Sequence, residues 1–377
     1  MSLAQVWLRR QWCQFVPAML AVAFSCLMLL VLAALVLGIF GSAAVYVNAS
    51  SGQLWAGSAG TQSINFGQPL DVDVESRLAA HPNVAVVEPY YWVEGNWRNR
   101  AGAGRALSVF VSGIAVQARG LMFSSLLTSD MREALRAPGA VIVDTSDLNA
   151  LGVGVGGLAW INGVPVTVVD TVPGLRGLGG VNAIASVATA RDLRTDADEA
   201  DRPTYVVASL VDSSKAEVTR KDLSQQVGWG HYEVWSASEL ARRSQNYWLF
   251  ETGAGVAVSF MAVIVCLVGV VVAGYAQIAV VMRATQEFAV LIALGVSPWK
   301  LCRVVMAQAA WIGGIGIGVG GLMAAVLLSI AATHDVPVGM TAPIAVGCAL
   351  LILMLTMCAG LFSILSVLRA NPVTLLR

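Results

Sequence analysis

Three histidines, two neighbouring aspartates and one glycine-rich loop are the groupings in this sequence whose residue types could do chemistry. His81, His231 and His334 stand apart from one another, with no HExxH spacing, no cysteine partner and no acidic cluster at ligand spacing. Metal binding is therefore not expected. No GxSxG elbow occurs for a serine hydrolase. Asp144 and Asp147, in VIVDTSDL, follow an apolar run and precede a helical pattern, where short acidic side chains act as turn or cap residues. Gly152, Gly154, Gly156 and Gly157 make the loop LGVGVGG, which could cradle a phosphate, yet no Gly-Lys pair follows anywhere in the chain. A phosphate loop needs that lysine, so the chain is not expected to hydrolyse ATP through this motif, and a loop leading into a hairpin is the better reading. The expectation is a chain with no catalytic residue, no metal and no cofactor of its own.

What remains is apolar mass. Of 377 residues, 57% are hydrophobic and 12% charged, with a mean hydropathy of +0.72 and a net charge of zero. That is an integral membrane protein, and nothing in the balance points to nucleic acid. Cys13, Cys26, Cys266, Cys302, Cys348 and Cys358 all lie in or beside apolar runs, which leaves the polar middle without a disulfide framework. Residues 1–15 mix Trp7, Trp12 and Phe15 with Arg9 and Arg10 and read as an interfacial lead-in helix. Residues 16–47 form a first span, too long for the apolar core of a cleaved signal peptide. Thr252 to Met282 and Val304 to Thr333 carry no Asp, Glu, Lys or Arg, so spans two (247–282) and three (304–333) follow. After a short extracytoplasmic turn (334–343) comes span four (344–368), then a tail (369–377). The absence of ionisable residues near the centres of the spans disfavours an ion-coupled transporter.

Between spans one and two lies a polar block, residues 48–246, large enough for one or two cores. Val84 to Val93, Leu107 to Val116, Ala140 to Val143 and Tyr205 to Leu210 are β-branched or aromatic runs bounded by turn residues. Leu158 to Val172 has Asn162-Gly163 between apolar segments, the signature of a tight hairpin. Ser214 with Glu217 predicts a capped helix with Ala216, Thr219, Leu223 and Val227 as its buried stripe. Ser236 with Glu239 predicts another, running without a breaker until Gly253 and on into span two as a rigid rod, with Tyr247 and Trp248 at the headgroups. The fold class is thus a membrane protein of four transmembrane α-helices, arranged one plus three, with a large extracytoplasmic α+β domain between spans one and two.

Spans two and three bracket residues 283–303, RATQEFAVLIALGVSPWKLCR. Phe288, Leu291, Ile292 and Val296 recur at helical spacing while Glu287 and Lys300 stay polar, which predicts a short amphipathic helix at one membrane surface. Gly295 and Ser297-Pro298 would break it. With four spans and both termini inside, Arg9, Arg10, Arg283, Lys300, Arg303, Arg369 and Arg377 fall on the cytoplasmic side, and Glu251 and Asp335 fall outside. That satisfies the positive-inside rule and places the polar block outside. Within span three, Gly314 with Gly318 and Gly316 with Gly320 put small residues on helical faces where another helix can approach closely.

QEFAVLIALGVSPWKL is similar to the EhAxLxALGxS pattern of the MacB/FtsX-type permeases of ABC systems, with Glu287, Ala293, Leu294, Gly295 and Ser297 on the matching positions. The closing LRANPVTLLR resembles that family's terminal segment through Arg369, Pro372 and Arg377. NYWLFETGAGVAV, ALRAPGAVIVDTSDLNALGV and VPVGMTAP look most like the DevC type within it. The resemblance is close over the membrane half and, over the outer domain, lies mainly in layout. It implies a permease subunit of a tripartite exporter in a bacterial inner membrane, moving a lipid, glycolipid or other amphiphile. The partners it implies are a separate ATPase subunit that binds ATP and Mg, a second permease copy, expected as a homodimer, a periplasmic adaptor of the membrane-fusion type, a TolC-like outer-membrane channel and membrane lipids. Phe288, Leu291, Ala293, Leu294, Gly295 and Pro298 are the expected ATPase-docking surface and exit turn, with Arg283, Glu287 and Lys300 as its polar rim. A non-transporting, FtsX-like regulator of a periplasmic enzyme is the other expectation, and would share the same membrane half.

Overall fold

A computed structural model describes residues 12–100, 102, 106–178, 180–196, 199–225, 232–283, 297–333, 336 and 338–369. The chain divides into a helical unit, Met1–Ile39 with Val256–Arg377, and an α+β unit, Phe40–Gly255.

In the helical unit, α1 (Trp12–Gly41) carries Pro17 in its first turns, where a missing N–H is least costly. α1 ends in a 3₁₀ turn, Ser42–Ala44, and a further turn of helix, α2 (Val45–Asn48). The long apolar helices α9 (Ala254–Arg283), α10 (Pro298–Thr333) and α11 (Ala342–Arg369) complete the unit. Pro298 is the first residue of α10, a position suited to its fixed φ. Among the described residues, three stretches are long and apolar enough to cross a membrane: Phe15–Asn48, Cys302–Thr333 and Ala342–Phe362. A fourth follows only if Ala237–Glu251 and Ala254–Gly269 are taken together as one broken span. Val22, Cys26, Leu29 and Leu30 of α1 pack with Ile312 and Ala324 of α10 and Ile352 of α11. The Gly339 N–H, between α10 and α11, donates to the Ala34 carbonyl at 2.9 Å.

The α+β unit is organised by one strand. β2 (Val84–Arg98) is 15 residues long and serves two sheets. Its first half pairs with β8 (Tyr205–Leu210), which pairs with β1 (Leu54–Ser58), which pairs with β9 (Tyr232–Ser236), all antiparallel. Alternation along β1 sends Leu54 and Ala56 to one face, under α3 (Asp73–Ala79) and α7 (Ala216–Gln225), and Trp55 to the other. The second half of β2 enters a ring: β2, β3 (Leu107–Ile114), β7 (Val181–Ser186), β4 (Ala140–Asp144), β6 (Val164–Val172), β5 (Leu158–Ile161), and back to β2 through Trp97 opposite Ile161. A closed ring leaves no edge strand to pair with another chain. Tyr91, Trp97, Val111, Val143, Val168 and Ala183 share its packed face, and the Trp97 indole donates to the Leu151 carbonyl at 3.1 Å.

Local expectations and structure agree at the hairpin: Asn162 (φ 51°) and Gly163 (φ 85°) make the tight turn between β5 and β6. Gly152, at φ 67°, ends the short helix α5 (Leu148–Leu151), and the Gly156 N–H joins the Val168 carbonyl at 2.7 Å, so LGVGVGG is the lead-in to that hairpin. Two helix expectations are corrected. The turn before α7 is capped by Asp212, whose carboxylate accepts from the Ser214 N–H (3.0 Å) and hydroxyl (2.6 Å); Ser214 lies inside the turn and is not its cap. A carboxylate two residues earlier outcompetes a hydroxyl for the free N–H groups. Thr219 and Leu223 are buried as expected, while Val227 lies outside the described residues. The second correction is to the rod. α8 (Ala237–Asn246) starts at Ser236, which accepts from the Glu239 N–H, but passes into a π turn, Tyr247–Glu251, and stops at Gly253, whose φ is +76°. The left-handed glycine separates α8 from α9, so no continuous helix joins the α+β unit to the second apolar run.

Candidate functional site

Of the residues expected to couple to an ATPase, Arg283 closes α9, Ser297 is exposed ahead of α10, and Pro298 and Lys300 lie in its first turn. Glu287, Phe288, Leu291, Ala293, Leu294 and Gly295 lie outside the described residues. The elements that flank this stretch are therefore where the geometry can be read.

The four glycines of α10 singled out by their spacing, among six in that helix, separate into two pairs. A methyl group at Gly316 would lie 2.7 Å from Val22 Cβ and 2.8 Å from its Cγ1, and one at Gly320 would press on the Ala23 carbonyl and lie 2.9 Å from Cys26 Cβ. Gly316 and Gly320 are thus the surface on which α10 meets α1, one helical turn apart. Gly314 and Gly318 have nothing within 4 Å of a built methyl. A methyl built on Gly313 would lie 2.9 Å from Leu353 Cδ1 of α11, and one on Gly269 of α9 would lie 2.5 Å from the Ser25 hydroxyl of α1. The contacts at Gly316, Gly320 and Gly269 join α10 and α9 to the same helix, α1.

α1 leads by chain continuity into the second set of fixed groups. Tyr46 is fully buried; its hydroxyl donates to Asn182 Oδ1, and Asn182 Nδ2 donates to the Leu175 carbonyl at 2.9 Å. Its ring meets Trp92 edge-on, centroids 4.8 Å apart. Ser50 Oγ accepts from the Phe123 N–H (3.1 Å), and the Ser51 and Ser125 N–H groups join the Leu121 and Ala49 carbonyls at 2.9 and 3.2 Å. The loop 115–128 is thereby tied to the exit of the first apolar helix. It is held internally by Glu88 and Arg132, both almost wholly buried: Glu88 Oε2 accepts from the Leu121 N–H at 2.8 Å, and the Arg132 guanidinium donates to the carbonyls of Ala115, Gly120 and Met122. Burial pushes the Glu88 carboxyl above its ordinary range, opposed by backbone N–H groups and by the charge of Arg132. Phe123 sits at φ 51° inside this loop, a conformation a non-glycine residue adopts only when its surroundings hold it there. Sequence reasoning missed the network, because Glu88, Arg132 and Tyr46 are scattered along the chain and carry no motif.

The third fixed region is the π turn. The Trp248 indole donates to Ser63 Oγ at 3.2 Å, Phe66 stacks on Trp248 at 6.0 Å, and the Ile64 N–H donates to the buried Ser244 hydroxyl at 3.0 Å. Single π turns inside helices occur often at functional sites.

Asp144, expected as a cap or turn residue, is buried and accepts from the N–H groups of Ser146 (2.9 Å), Leu175 (2.7 Å) and Arg176 (3.0 Å). Asp147 is buried with Arg176 Nε 3.8 Å away. Both act as braces for the loop after β6. His81 Nδ1 accepts from the Asn83 N–H at 3.2 Å, and His231 and His334 lie outside the described residues. Among the described residues, no three His, Cys, Asp or Glu side chains gather as metal ligands.

Comparison with known proteins agrees with the helical half. Residues 259–372 match the FtsX-like permease C-terminal family. No match is found among curated proteins. Among solved structures, the periplasmic region of MacB from Actinobacillus actinomycetemcomitans is similar at 15% identity and a TM-score of 0.38, over 53% of this chain and 96% of that one. The extracellular domain of YknZ, a noncanonic ABC-type transporter from Gram-positive bacteria, is similar at 13% identity and a TM-score of 0.33, over 48% and 98%. The matched residues take in most of α9, the whole stretch 283–303, α10 and α11, and they mark this part of the chain as an FtsX-like permease C-terminal region.

Proposed function

We propose that this chain is the permease subunit of an ATP-driven tripartite exporter, and that it carries ATPase closure through the membrane to the α+β unit to drive efflux of a lipid, glycolipid or other amphiphile. The observation that carries the reading is the FtsX-like match, which encloses the amphipathic stretch 283–303 between two apolar helices. Hydrolysis, with its ATP and Mg, belongs in this reading to a separate subunit, in keeping with a sequence that has no Gly-Lys phosphate loop. In this reading the inner membrane holds a permease dimer with cytoplasmic termini. Phe288, Leu291, Ala293, Leu294, Gly295 and Pro298 dock the ATPase, and the α+β unit faces an adaptor and a TolC-like channel.

The path available for movement is supported by the contacts above. A shift at the start of α10 reaches α1 where Gly316 and Gly320 touch it, and α1 continues into Tyr46 and Ser50. Closely packed helices slide or rock as bodies, because packed interfaces have discrete arrangements and do not deform continuously. α9 takes the same input at Arg283 and reaches the α+β unit through Gly253 and the π turn, which makes that end a joint instead of a strut. No substrate need cross the bilayer for such a device to act.

The test is ATP turnover of the partner ATPase reconstituted in lipid with the full chain, its adaptor, and the variants Gly295→Pro and Leu291→Asp. The expected result is stimulation by the wild type and its loss in both variants. Variants that assemble and stimulate as well as the wild type would reduce the stretch to a connector and overturn the coupling role.

A further inference from the structure

The outer face of α8 and the π turn line a groove of about 530 Å³ with Gln62, within the size range of small-ligand sites. Its charges are unevenly committed. Arg243 lies 3.3 Å from Glu233 and over the Trp235 ring at 5.5 Å, and Glu239 is 4.0 Å from Arg220. Arg242 and Glu251, by contrast, take part in no ion pair among the described residues. The groove therefore offers one uncommitted cation and one uncommitted anion, with the amides of Asn246 and Gln62 as further donors and acceptors.

We propose that this groove binds the headgroup of an amphiphile carrying both a phosphate and a primary amine, with the phosphate on Arg242 and the ammonium on Glu251. A planar guanidinium matches phosphate oxygens through two parallel hydrogen bonds. A carboxylate with an amide oxygen beside it accepts from an ammonium N–H, which a quaternary amine cannot offer. A neutral pair of sites selects a zwitterion over a purely anionic headgroup, which would leave Glu251 facing negative charge. The surroundings suit an acyl chain: Phe250 is 65% exposed and Phe66 45% exposed, and Phe66 meets Tyr247 at 5.2 Å. Glu251 stands three residues before α9, so a headgroup held there is within roughly 10 Å of chain from the apolar run. The inference goes beyond export, since it needs neither an ATPase nor a transport cycle. The same headgroup chemistry is supplied by a bilayer aminophospholipid or by a soluble phosphate-amine compound.

The full chain in detergent, observed by native mass spectrometry, is titrated with dioctanoyl phosphatidylethanolamine, phosphatidylglycerol and phosphatidylcholine, with and without O-phosphoethanolamine. The wild type is expected to bind the ethanolamine lipid about three- to tenfold more tightly than the other two. Glu251→Gln should erase that preference, and Arg242→Gln should weaken all three lipids. Both side chains are exposed, and an unchanged thermal midpoint confirms that each variant is folded. Competition by O-phosphoethanolamine supports a site that reads the headgroup alone. No competition, with the Glu251-dependent preference kept, supports a bilayer lipid as occupant. Equal affinity for the three lipids, or a preference that survives both substitutions, overturns the proposal whether or not the chain proves to be an exporter.

Discussion

The two glycine pairs of α10 allow a prediction with opposite signs on one helix. Replacing Gly316 and Gly320 by alanine puts methyl groups 2.7 Å from Val22 Cβ and against the Ala23 carbonyl. Carbon atoms prefer about 3.5–4.0 Å, so α1 and α10 must part by roughly 1 Å. The Val22 β-carbon and a helix carbonyl cannot swing aside as a flexible side-chain end could. Overpacking of this kind costs typically about 1–3 kcal/mol per site. One displacement relieves both clashes, so the double variant should lose less than the sum. Replacing Gly314 and Gly318, which have open space, meets no clash and gains about 0.5–1 kcal/mol each from the better helix propensity of alanine. Thermal unfolding of the full chain in detergent, followed by tryptophan fluorescence, should show Gly316→Ala/Gly320→Ala several degrees below the wild type and Gly314→Ala/Gly318→Ala at or above it. A fall of equal size in both would refute the assignment of Gly316 and Gly320 as the contact with α1.

Two predictions concern the α+β unit. Arg132→Met removes the donor to three carbonyls and leaves Glu88 buried without its balancing charge, a loss of about 3–5 kcal/mol at neutral pH by denaturant titration. Because the folded-state value of Glu88 is raised above its ordinary 4.5, its contribution is whole in acid and is lost as pH rises through the folded value. Wild type should therefore gain stability over Glu88→Gln as pH falls from 7 toward 4.5; a flat difference would refute the linkage. Tyr46→Phe keeps the edge contact with Trp92 but leaves Asn182 Oδ1 without its donor, and should cost about 1–3 kcal/mol in the same titration. No loss would mean that the hydroxyl is not needed there.

Much of the local structure was legible because it is written in adjacent residues. Alternating β-branched runs gave β2, β3, β4 and β8, Asn162-Gly163 gave the hairpin, and Ser236 with Glu239 gave the start of α8. β1, β7 and β9 went unread. LWAGS and VNAIAS carry small residues that weaken the strand pattern, and YEVWS alternates over five residues only. The closure of six strands into a ring depends on pairings such as Val109 with Val181, and no local signal encodes that distance. The interruption at Gly253 escaped because the stretch before it carries no proline or glycine; what ends the helix is a left-handed glycine after a π turn, visible only as a dihedral angle. Of the site, most of the stretch 283–303 lies outside the described residues, and the small residues of α10 were readable. Which glycine pair meets a neighbour was not, since both pairs have the same spacing and only the position of α1 distinguishes them.

The pairing of β1 carries a consequence for synthesis. Leu54 must find Ala208 on one side and Ser236 on the other, and the second partner lies 182 residues later (236 − 54). At roughly 5–20 residues per second, β1 waits about 10–40 s after emerging before its last neighbour exists. During that interval Trp55, destined for the centre of the core, hangs on a nascent chain with at least one strand edge open and its preceding apolar helix already made. The time during which this protein is most exposed to misassembly is therefore set by the ribosome, and a pause in translation anywhere between the codons for Ser58 and Tyr232 would lengthen it.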